Sequence, residues 1–344
     1  MNIFAIETSC DETSASIVMN GVRVKSVVTS SQIKIHSKFF GVVPELASRA
    51  HAEDINFVIL QALNNCGINF DNFSKKIDAI AFTVGPGLSG ALLIGSIAAK
   101  ALSAVYKKPL IPINHLEGHI YSSFIENELT IGHPFLSLII SGGHTELVIV
   151  KNFGIYEILG GTRDDAVGEA FDKAAKMLGL SYPGGPIIDK KAEVGDPNAI
   201  RFTRPYLKGS WDFSFSGIKT ALLNYLKVNQ VKNEKHLNDI CASFRQAISD
   251  TLYFKSFTAA EKFNLKKIVL GGGVSANRLI RKMFLDKNSK NEMEVFVPQI
   301  IYCTDNAAMI GSVAYLKYIK CGLKYRDEQL MINPSLSLKN WNII

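Results

Sequence analysis

The sequence predicts an α/β protein with two lobes built on one plan. Strand-like and helix-like segments alternate along its 344 residues, as they do in α/β folds. A chain of this length can form two packed lobes. The order strand, polar turn, strand, strand occurs over residues 2–28 and again over 135–159, which indicates a duplicated strand-hairpin core. We therefore predict a first lobe at 1–133 and a second lobe at 134–344.

Turn and cap signals define the elements of the first lobe. Asn20-Gly21 is a hairpin signal. Pro44 and Gly67 bracket a helix, because proline favours the first helical turn and glycine the helix end. The predicted strands are 2–6, 15–19, 22–28, 77–84 and 110–113, and the predicted helices run between Pro44 and Gly67, from Leu88, and through His115 and His119.

Glycine-rich turns separate the elements of the second lobe. His133-Pro134 suits the link between the lobes, because proline restricts the residue before it to extended conformations. The segment 182–186, rich in glycine and proline, is predicted as a loop. The predicted strands are 135–140, 144–150, 155–159 and 267–270, and the predicted helices are 164–178, 236–263, 275–284 and a last one from near Asp305 to Gly322.

Two histidines four residues apart, His115 and His119, indicate a metal site. On a helix, side chains at this spacing leave the same face one turn apart and can share an ion. The best candidate for a third ligand is Asp305. Two histidines and a carboxylate leave coordination positions open for a substrate. A zinc peptidase carries its general base directly after the first histidine, whereas Glu117 comes one residue later.

Composition narrows the class of protein. Hydrophobic residues are 47% and charged residues 20% of the chain, as in an ordinary globular enzyme. Polar residues interrupt the apolar runs, so no membrane span is predicted, and the N-terminus reads as a strand rather than a targeting peptide. The five scattered cysteines are typical of reduced thiols in the cytoplasm. The formal net charge of +7 is compatible with a nucleic-acid partner without establishing one.

Three polar turns that follow strands could hold a phosphate or a base, because glycine lets backbone N–H groups approach a ligand closely. The turns are 7–13, 140–146 and 270–277. None has the P-loop or the Rossmann pattern of glycines. Two strand hairpins followed by a Gly-Gly-Gly loop before a helix resemble the actin, hexokinase and Hsp70-like (ASKHA) superfamily. There the hairpins hold phosphates and the late loop holds adenosine.

Together with the histidine pair, these motifs resemble the TsaD family, the tRNA adenosine threonylcarbamoyltransferases once named O-sialoglycoprotein endopeptidases. The motifs occur in the order of the family and span nearly the whole chain. They are Ile6–Thr13, Val84–Gly87, Asn114–His119, Ser141–Thr145, Asp164–Lys173, Tyr182–Pro186, Gly271–Asn277 and Cys303–Met309.

The resemblance implies an acyltransferase that forms t6A. It would move the threonylcarbamoyl group from threonylcarbamoyl-AMP to N6 of adenosine 37 in tRNAs that read codons beginning with A. By position, His115, His119 and Asp305 would hold one Fe²⁺ per chain, with Zn²⁺ as the alternative. The metal would act as a Lewis acid. Asp11 and Glu12 would lie near the acyl group as candidate catalytic residues.

The same resemblance assigns substrate-binding residues and partners. The residues that would approach the phosphate and acyl end are Ile139, Ile140, Ser141, Gly142 and Gly143. Those that would hold the ribose and adenine, of this donor or of an ATP/AMP-type nucleotide, are Asp172, Gly185, Asp189 and Asn277. The partners would be the tRNA anticodon loop, a TsaB-like paralogue of the same fold and a TsaE-like P-loop ATPase, with no membrane, in the cytoplasm.

Other interpretations stay open. Asp172 could pair with Lys176 one turn on, and Asp189 could be an acid in the first turn of a helix. Beside the transferase, the sequence allows a metal-dependent peptidase, a small-molecule kinase of the ASKHA type or a nucleotide-sensing scaffold. The displaced Glu117 argues against the peptidase. The histidine pair argues against the kinase, because Mg²⁺ prefers oxygen ligands.

Overall fold

The computed structural model of the chain describes residues 1–127, 132–207, 209–286, 293–322 and 330–340. The strands are β1 (Asn2–Glu7), β2 (Glu12–Met19), β3 (Arg23–Ser31), β4 (Ala79–Gly85), β5 (Leu110–Asn114), β6 (Phe135–Ile140), β7 (Thr145–Asn152), β8 (Ile155–Gly161), β9 (Lys267–Gly271) and β10 (Glu294–Phe296). The helices are α1 (Ile33–His36), α2 (Pro44–Asn64), α3 (Phe73–Lys76), α4 (Ser89–Tyr106), α5 (His115–Tyr121), α6 (Val167–Met177), α7 (Gly184–Lys191), α8 (Ser216–Val228), α9 (Glu234–Lys262), α10 (Arg278–Leu285) and α11 (Ala307–Cys321).

The two sheets have the same topology, which confirms the predicted duplicated α/β core. Their strand orders are β3-β2-β1-β4-β5 and β8-β7-β6-β9-β10. In each sheet the central strand pairs antiparallel with its hairpin partner, β1 with β2 and β6 with β7. On its other side it pairs parallel, β1 with β4 and β6 with β9. Parallel neighbours need a crossover connection, and helices lie in both crossovers.

Contacts divide the chain into two compact units. Unit 1 comprises the described residues of 1–132, 152–156 and 298–340. Unit 2 comprises the described residues of 133–151 and 157–297. Each unit contains one of the two sheets, apart from the few residues where β7 and β8 meet.

The C-terminal segment differs from the predicted lobe boundaries, which placed all of 134–344 in the second lobe. Its described residues from 298 onward belong to unit 1, where α11 packs on β1, β2 and α5. A Cβ at Gly311 would lie 2.7 Å from Val18 and 3.3 Å from Ala5, so glycine lets α11 lie flat on the sheet. The internal repeat does not predict that the C-terminal segment packs in unit 1, because α11 and the strands that it contacts are distant in sequence.

Aromatic side chains fill the core of each unit. In unit 1, Phe73 lies against Phe4 and stacks on Tyr106 with ring centroids 4.4 Å apart. In unit 2, Phe171 and Phe244 pack edge to face at 5.9 Å between α6 and α9. Burying such rings removes large apolar surfaces from water and fixes where the helices meet the sheets.

Helix boundaries in unit 2 differ from the prediction. The helix predicted from Asp164 begins at Val167, because Asp164 instead accepts hydrogen bonds from backbone N–H groups at the start of α8. The segment 182–186, predicted as a loop, contains the start of α7 at Gly184. Helix α8 was not among the predicted helices.

Among the described residues, α4 is the one helix long and apolar enough to span a membrane by length and composition. A single such helix is weak evidence for a span, because a core helix can pass the same test. Helix α4 packs against α2 and β4, while its residues Leu93, Ile97 and Val105 are exposed. We interpret α4 as a helix of unit 1 with one packed and one exposed apolar face.

Candidate metal centre and nucleotide-binding residues

The two histidines and Asp305 converge in unit 1. His115 and His119 lie one turn apart in α5, and their ring centroids are 4.6 Å apart. Oδ1 of Asp305 lies 3.6 Å from Nε2 of His115 and 3.1 Å from Nε2 of His119. One candidate ligand atom from each residue falls within 4.8 Å of the other two. The structure therefore brings together the three residues predicted to hold a metal.

Local sequence explains why α5 presents both rings to Asp305. Asn114 caps the helix, since its Oδ1 accepts from the Leu116 N–H at 2.8 Å. Gly118 lies between the histidines, and a Cβ there would come within 3.0 Å of the Met309 side chain in α11. Glycine thus lets α11, and the loop with Asp305 just before it, approach α5 closely.

The set of donor atoms fits a transition metal. His119 is fully buried, yet neither of its ring nitrogens makes a hydrogen bond to a described residue. Its Nε2 is within ion-pair distance of Asp305 but without hydrogen-bond geometry. Buried polar atoms without a partner are rare, and a cation bound beside Asp305 would satisfy Nε2. Two imidazoles and a carboxylate suit Fe²⁺ or Zn²⁺ and leave further coordination positions open.

His115 lies in a more polar environment than His119. Its Nδ1 is 3.2 Å from Oε2 of Glu7 and 3.1 Å from Oγ of Ser9. Burial alone would lower the pKa of His115, but the carboxylates of Asp305 and Glu7 outweigh burial and raise the pKa to about 9. Without a cation this imidazole is therefore protonated at neutral pH, and a metal ion would take the place of one proton.

The predicted catalytic residues Asp11 and Glu12 lie in unit 1, where the turn after β1 enters β2. Burial, followed by the charges of Asp11 and Asp305, raises the pKa of Glu12 well above its ordinary value. A raised pKa makes a carboxylate a stronger base than usual. Burial and the neighbouring acids also raise the pKa of the Cys10 thiol, which makes it a poor nucleophile.

A buried histidine anchors the turn that carries Asp11 and Glu12. Nδ1 of His51 lies 2.7 Å from Oγ1 of Thr13, and its Nε2 lies 3.0 Å from the carbonyl oxygen of Cys10. A carbonyl only accepts, so Nε2 carries the proton and Nδ1 accepts from the Thr13 hydroxyl. This packing histidine therefore holds both ends of the turn.

The predicted phosphate-binding turn follows β6 in unit 2. The side chains of Ile139 and Ile140 are buried in the core, so only their backbone groups could meet a ligand. Gly142 and Gly143 are exposed, and a Cβ at either would meet no described atom within 4 Å. Ser141 closes the turn with backbone and side-chain hydrogen bonds. The two glycines therefore leave backbone open to a ligand.

The Gly-Gly-Gly loop after β9 lies against this turn. Gly272 has a φ of +91°, and a Cβ there would be 2.4 Å from the carbonyl oxygen of Ile140. Only glycine fits such a close approach with a positive φ. Two of the three turns predicted to bind a ligand thus lie side by side in unit 2, and the third lies in unit 1.

Asp172 and Gly185 are linked through the start of α7. Oδ1 of Asp172 accepts from the Gly184 N–H at 2.7 Å, so this carboxylate stabilises the N-terminus of the helix. The sole described atom within 4 Å of a Cβ built at Gly185 is Cβ of Phe171, at 3.9 Å. That space would allow a flat ring to approach the backbone.

Asp189 and Asn277 meet at the start of α10. Oδ2 of Asp189 accepts from the Arg278 N–H at 3.2 Å, and the side-chain oxygen of Asn277 caps the helix. Oδ1 of Asp189 lies 2.7 Å from Nη1 of Arg245, and both side chains are largely buried. Both predicted substrate-binding residues therefore also have structural roles. Asp189 lies late in α7, so the alternative that it is an acid in the first turn of a helix is wrong.

Sequence reasoning missed two charged residues in these clusters, Glu7 and Arg245. Glu7 ends an otherwise apolar strand, and Arg245 lies within the buried middle of α9. A single charge among apolar neighbours is the signal that could have found both, because a buried charge needs a partner.

Comparison with known proteins identifies the family. The profile of TsaD, described as tRNA N6-adenosine threonylcarbamoyltransferase, matches residues 23–312. A protein of that name from Endomicrobium trichonymphae is 74% identical over 343 residues, which is 100% of this chain and 100% of that protein. Another of that name, from Clostridium kluyveri, is 51% identical and covers 93% of this chain and 93% of its own length.

Solved structures share the fold at low identity. HypF from T. kodakarensis is 16% identical with a TM-score of 0.61, covering 96% of this chain and 49% of its own. The activator of the 2-hydroxyisocaproyl-CoA dehydratase from Clostridium difficile, with bound ADPNP, is 15% identical with a TM-score of 0.52, covering 95% and 99%. They confirm the predicted ASKHA-type α/β fold. From the family profile and the close relatives, the chain belongs to the TsaD family, the tRNA N6-adenosine threonylcarbamoyltransferases.

Proposed function

We propose that this chain moves the threonylcarbamoyl group of threonylcarbamoyl-AMP to N6 of adenosine 37 in tRNAs that read codons beginning with A. The observation that carries the proposal is the convergence of His115, His119 and Asp305 in a member of this transferase family. In the reaction, N6 forms a bond to the carbamoyl carbon, the bond from that carbon to the phosphate oxygen breaks, and AMP leaves. One proton leaves N6.

The three converging residues would hold one Fe²⁺, with Zn²⁺ as the alternative. The cation would act as a Lewis acid and as a template for the threonyl part. His115 and His119 are buried, while Asp305 is 17% exposed at its side chain. The residues of this chain would thereby fix the acyl end, and since N6 of adenosine is a weak nucleophile, placement would supply much of the rate.

Glu12 and Asp11 are the candidates for accepting the proton that N6 loses. The raised pKa of Glu12, caused first by burial and then by the acids around it, makes this carboxylate a stronger base than usual, as a proton acceptor requires. The His51 contacts to Thr13 and to the Cys10 carbonyl would keep the turn in place during the transfer.

We assign the nucleotide part of the donor to unit 2. The exposed backbone at Gly142 and Gly143 would approach the phosphate. The open space above Gly185 would accept adenine. Asp172 and Asp189 offer carboxylate oxygens to ribose hydroxyls, and Asn277 offers its amide to the adenine edge. An ATP/AMP-type nucleotide would use the same groups.

The position of Glu117 disfavours the peptidase alternative. Its side chain is fully buried, and Oε1 accepts from the hydroxyl of Tyr156 at 2.5 Å. A general base for peptide hydrolysis has to reach a water on the metal. The kinase alternative remains weaker than the transferase, because imidazole ligands are not what Mg²⁺ prefers.

For partners, we propose the anticodon loop of tRNA, a TsaB-like paralogue and a TsaE-like ATPase, all in the cytoplasm. All five cysteines lie among the described residues and are free thiols, as expected of a reducing compartment. Exposed apolar side chains on the adjacent helices α2 and α4, namely Phe57, Leu60, Leu93 and Ile97, suit a helix-to-helix contact with the paralogue.

The partner surface can be tested by charge substitution. Phe57→Asp and Ile97→Asp should abolish co-purification with a TsaB-like paralogue, since each places a charge in an apolar contact. Val228→Asp is the matched control, because Val228 is equally apolar and 84% exposed in unit 2. Equal binding of all three variants would remove α2 and α4 from the interface.

The function is tested by depleting the protein in its own cells and measuring nucleosides of bulk tRNA by mass spectrometry. Loss of N6-threonylcarbamoyladenosine, restored by the wild type but not by His115→Ala, is the expected result. His236→Ala is the control, because His236 lies in α9 of unit 2 and bonds to Tyr225. Unchanged t6A after complete depletion would overturn the proposal.

A further inference from the structure

One buried carboxylate beside the metal cluster has no part in the reaction proposed above. Glu7 has 0% exposure at the end of β1. Its Oε1 accepts from the Ser9 N–H at 2.5 Å, and its Oε2 lies 2.5 Å from the Thr83 hydroxyl and 3.2 Å from Nδ1 of His115. Removing an ionised carboxylate from water costs several kcal/mol unless its partners compensate. The burial of Glu7 therefore indicates that its contacts have a function.

We propose that Glu7 is a positioning residue that keeps the proton of His115 on Nδ1 and so leaves Nε2 free to bind the metal. This inference rests on the metal site of the proposed function. A backbone N–H can only donate, so the contact with Ser9 makes Oε1 an acceptor. The second oxygen, facing Nδ1, then accepts from the ring. The proton that a metal ion displaces is then the one on Nε2, which lies on the side of Asp305, 3.6 Å from Oδ1.

The two histidines differ in this respect. His115 is oriented by a carboxylate before any cation binds, whereas neither nitrogen of His119 makes a hydrogen bond to a described residue. Histidine ligands of metals usually donate their second N–H to a carboxylate or carbonyl, and loss of that partner weakens metal binding about 10–100-fold. Glu7 thus makes His115 the fixed ligand of the pair.

The isosteric variant Glu7→Gln separates tautomer control from packing. The Ser9 N–H requires the single amide oxygen of glutamine, which places the NH₂ group opposite Nδ1 of His115. Nδ1 then faces a donor in place of the carboxylate and keeps only the Ser9 hydroxyl, 3.1 Å away, as a weaker acceptor. The tautomer with its proton on Nε2, which cannot bind a metal through that nitrogen, is therefore favoured relative to the wild type. The opposite amide orientation leaves the NH₂ group facing the Ser9 N–H, donor against donor, which is also unfavourable.

The test is a Co²⁺ titration of the metal-free full-length protein, followed by the visible absorption of the bound ion. We expect Glu7→Gln to weaken binding about 10–100-fold. Glu117→Gln, which alters a buried carboxylate bonded to Tyr156, should stay within about threefold of the wild type. Wild-type affinity in Glu7→Gln, or an equal loss in both variants, would overturn the inference. Wild-type affinity in His115→Ala would instead overturn the proposed metal site itself.

A second measurement reads the ring proton in the wild type and uses a variant only to assign the resonance. In the Zn²⁺-loaded wild type, long-range ¹H–¹⁵N NMR of the histidine rings should show the His115 proton on Nδ1, with the resonance identified by its absence in His115→Ala. A proton on Nε2 would overturn the inference.

Discussion

In unit 1 both ring nitrogens of His119 are buried without a hydrogen bond to a described residue, whereas in unit 2 the carboxylate of Asp189 is bonded to Arg245 and to the Arg278 N–H. His119, a predicted metal ligand, thus has bonding capacity that the described residues around it do not use. The predicted nucleotide-binding residues are groups that also hold helices in place.

Substitutions in the two groups of residues should therefore have different effects, on activity in the first group and on stability in the second. Removing a metal ligand should abolish the reaction and leave most of the stability, because the buried nitrogens contribute little to folding. Removing Asp189 or Asn277 should lower stability first, so a loss of activity there would not by itself demonstrate a role in binding.

The largest expected effect is on activity. His119→Ala should lower t6A formation in vitro by at least about 1000-fold, because a Lewis acid supplies several kcal/mol of transition-state stabilisation. Its free energy of unfolding should fall by less than about 2 kcal/mol, since the lost packing is offset by removing two buried unbonded atoms. Activity assays and urea unfolding of the same preparation check both. If His119→Ala were active, or were destabilised as much as Asp189→Ala, the difference between the two groups of residues would be contradicted.

Asp189→Ala should show the opposite pattern. It leaves the guanidinium of Arg245 buried without its carboxylate, which costs about 3–5 kcal/mol, measured as the free energy of urea unfolding. The control is Glu157→Ala, whose partner Lys151 has a side chain 57% exposed and whose loss should cost at most about 1 kcal/mol. Equal effects of the two substitutions would contradict the structural role of Asp189.

Unit 1 also contains a structural charge away from the metal cluster. Lys317 is 2% exposed, and its Nζ donates to the Pro112 carbonyl at 2.9 Å. Burial lowers its pKa from 10.5 to about 8, against a smaller opposing effect of Glu117. Between these pH values the unfolded chain holds a proton that the folded chain has lost, so stability rises with pH.

The penalty of burying the charge is fully present below pH 8 and is relieved as the pH rises to 10.5. Relative to that of Lys317→Met, the free energy of unfolding of the wild type should therefore rise by up to about 3 kcal/mol across that pH interval. Urea unfolding of both proteins at several pH values between the two limits measures it. A difference that stays constant with pH would show that Lys317 keeps an ordinary pKa.

The smallest effect is expected at Asn277. Asn277→Ala should cost about 1 kcal/mol, because two N–H groups of α10 lose their cap. Asn277→Ser keeps a capping oxygen but loses the amide, so it should restore stability. If Asn277 also holds the adenine, KM for threonylcarbamoyl-AMP should stay raised in Asn277→Ser. A normal KM there would limit Asn277 to its structural role.

The sequence predicted features that depend on spacing within one element or on a repeated order of elements. His115 and His119 are one turn apart on any helix, and the repeated hairpin order predicted two sheets of one topology. Apart from Asp305 beside the histidine pair, contacts between distant segments were not predicted. Examples are Glu7 beside His115, Arg245 beside Asp189, and the packing of α11 on β1.

Errors in the predicted helices have the same cause. Asp164 looks like an ordinary residue of the first helical turn until the backbone at the start of α8 is known to donate to it. The glycines of 182–186 suggest a loop. The Asp172 carboxylate, however, accepts a hydrogen bond from the first N–H of α7 and so stabilises a helix there. In both cases a hydrogen bond between segments distant in sequence decides where the helix begins.

The return of the C-terminal segment to unit 1 has a consequence for biosynthesis. His115 and His119 leave the ribosome long before Asp305, and the strands that α11 covers are made among the first residues of the nascent chain. The proposed ligand set can therefore be complete only after Asp305 has been translated. A chain that terminates early would carry two histidines but no finished site, so metal loading itself would distinguish full-length from truncated protein in the cell.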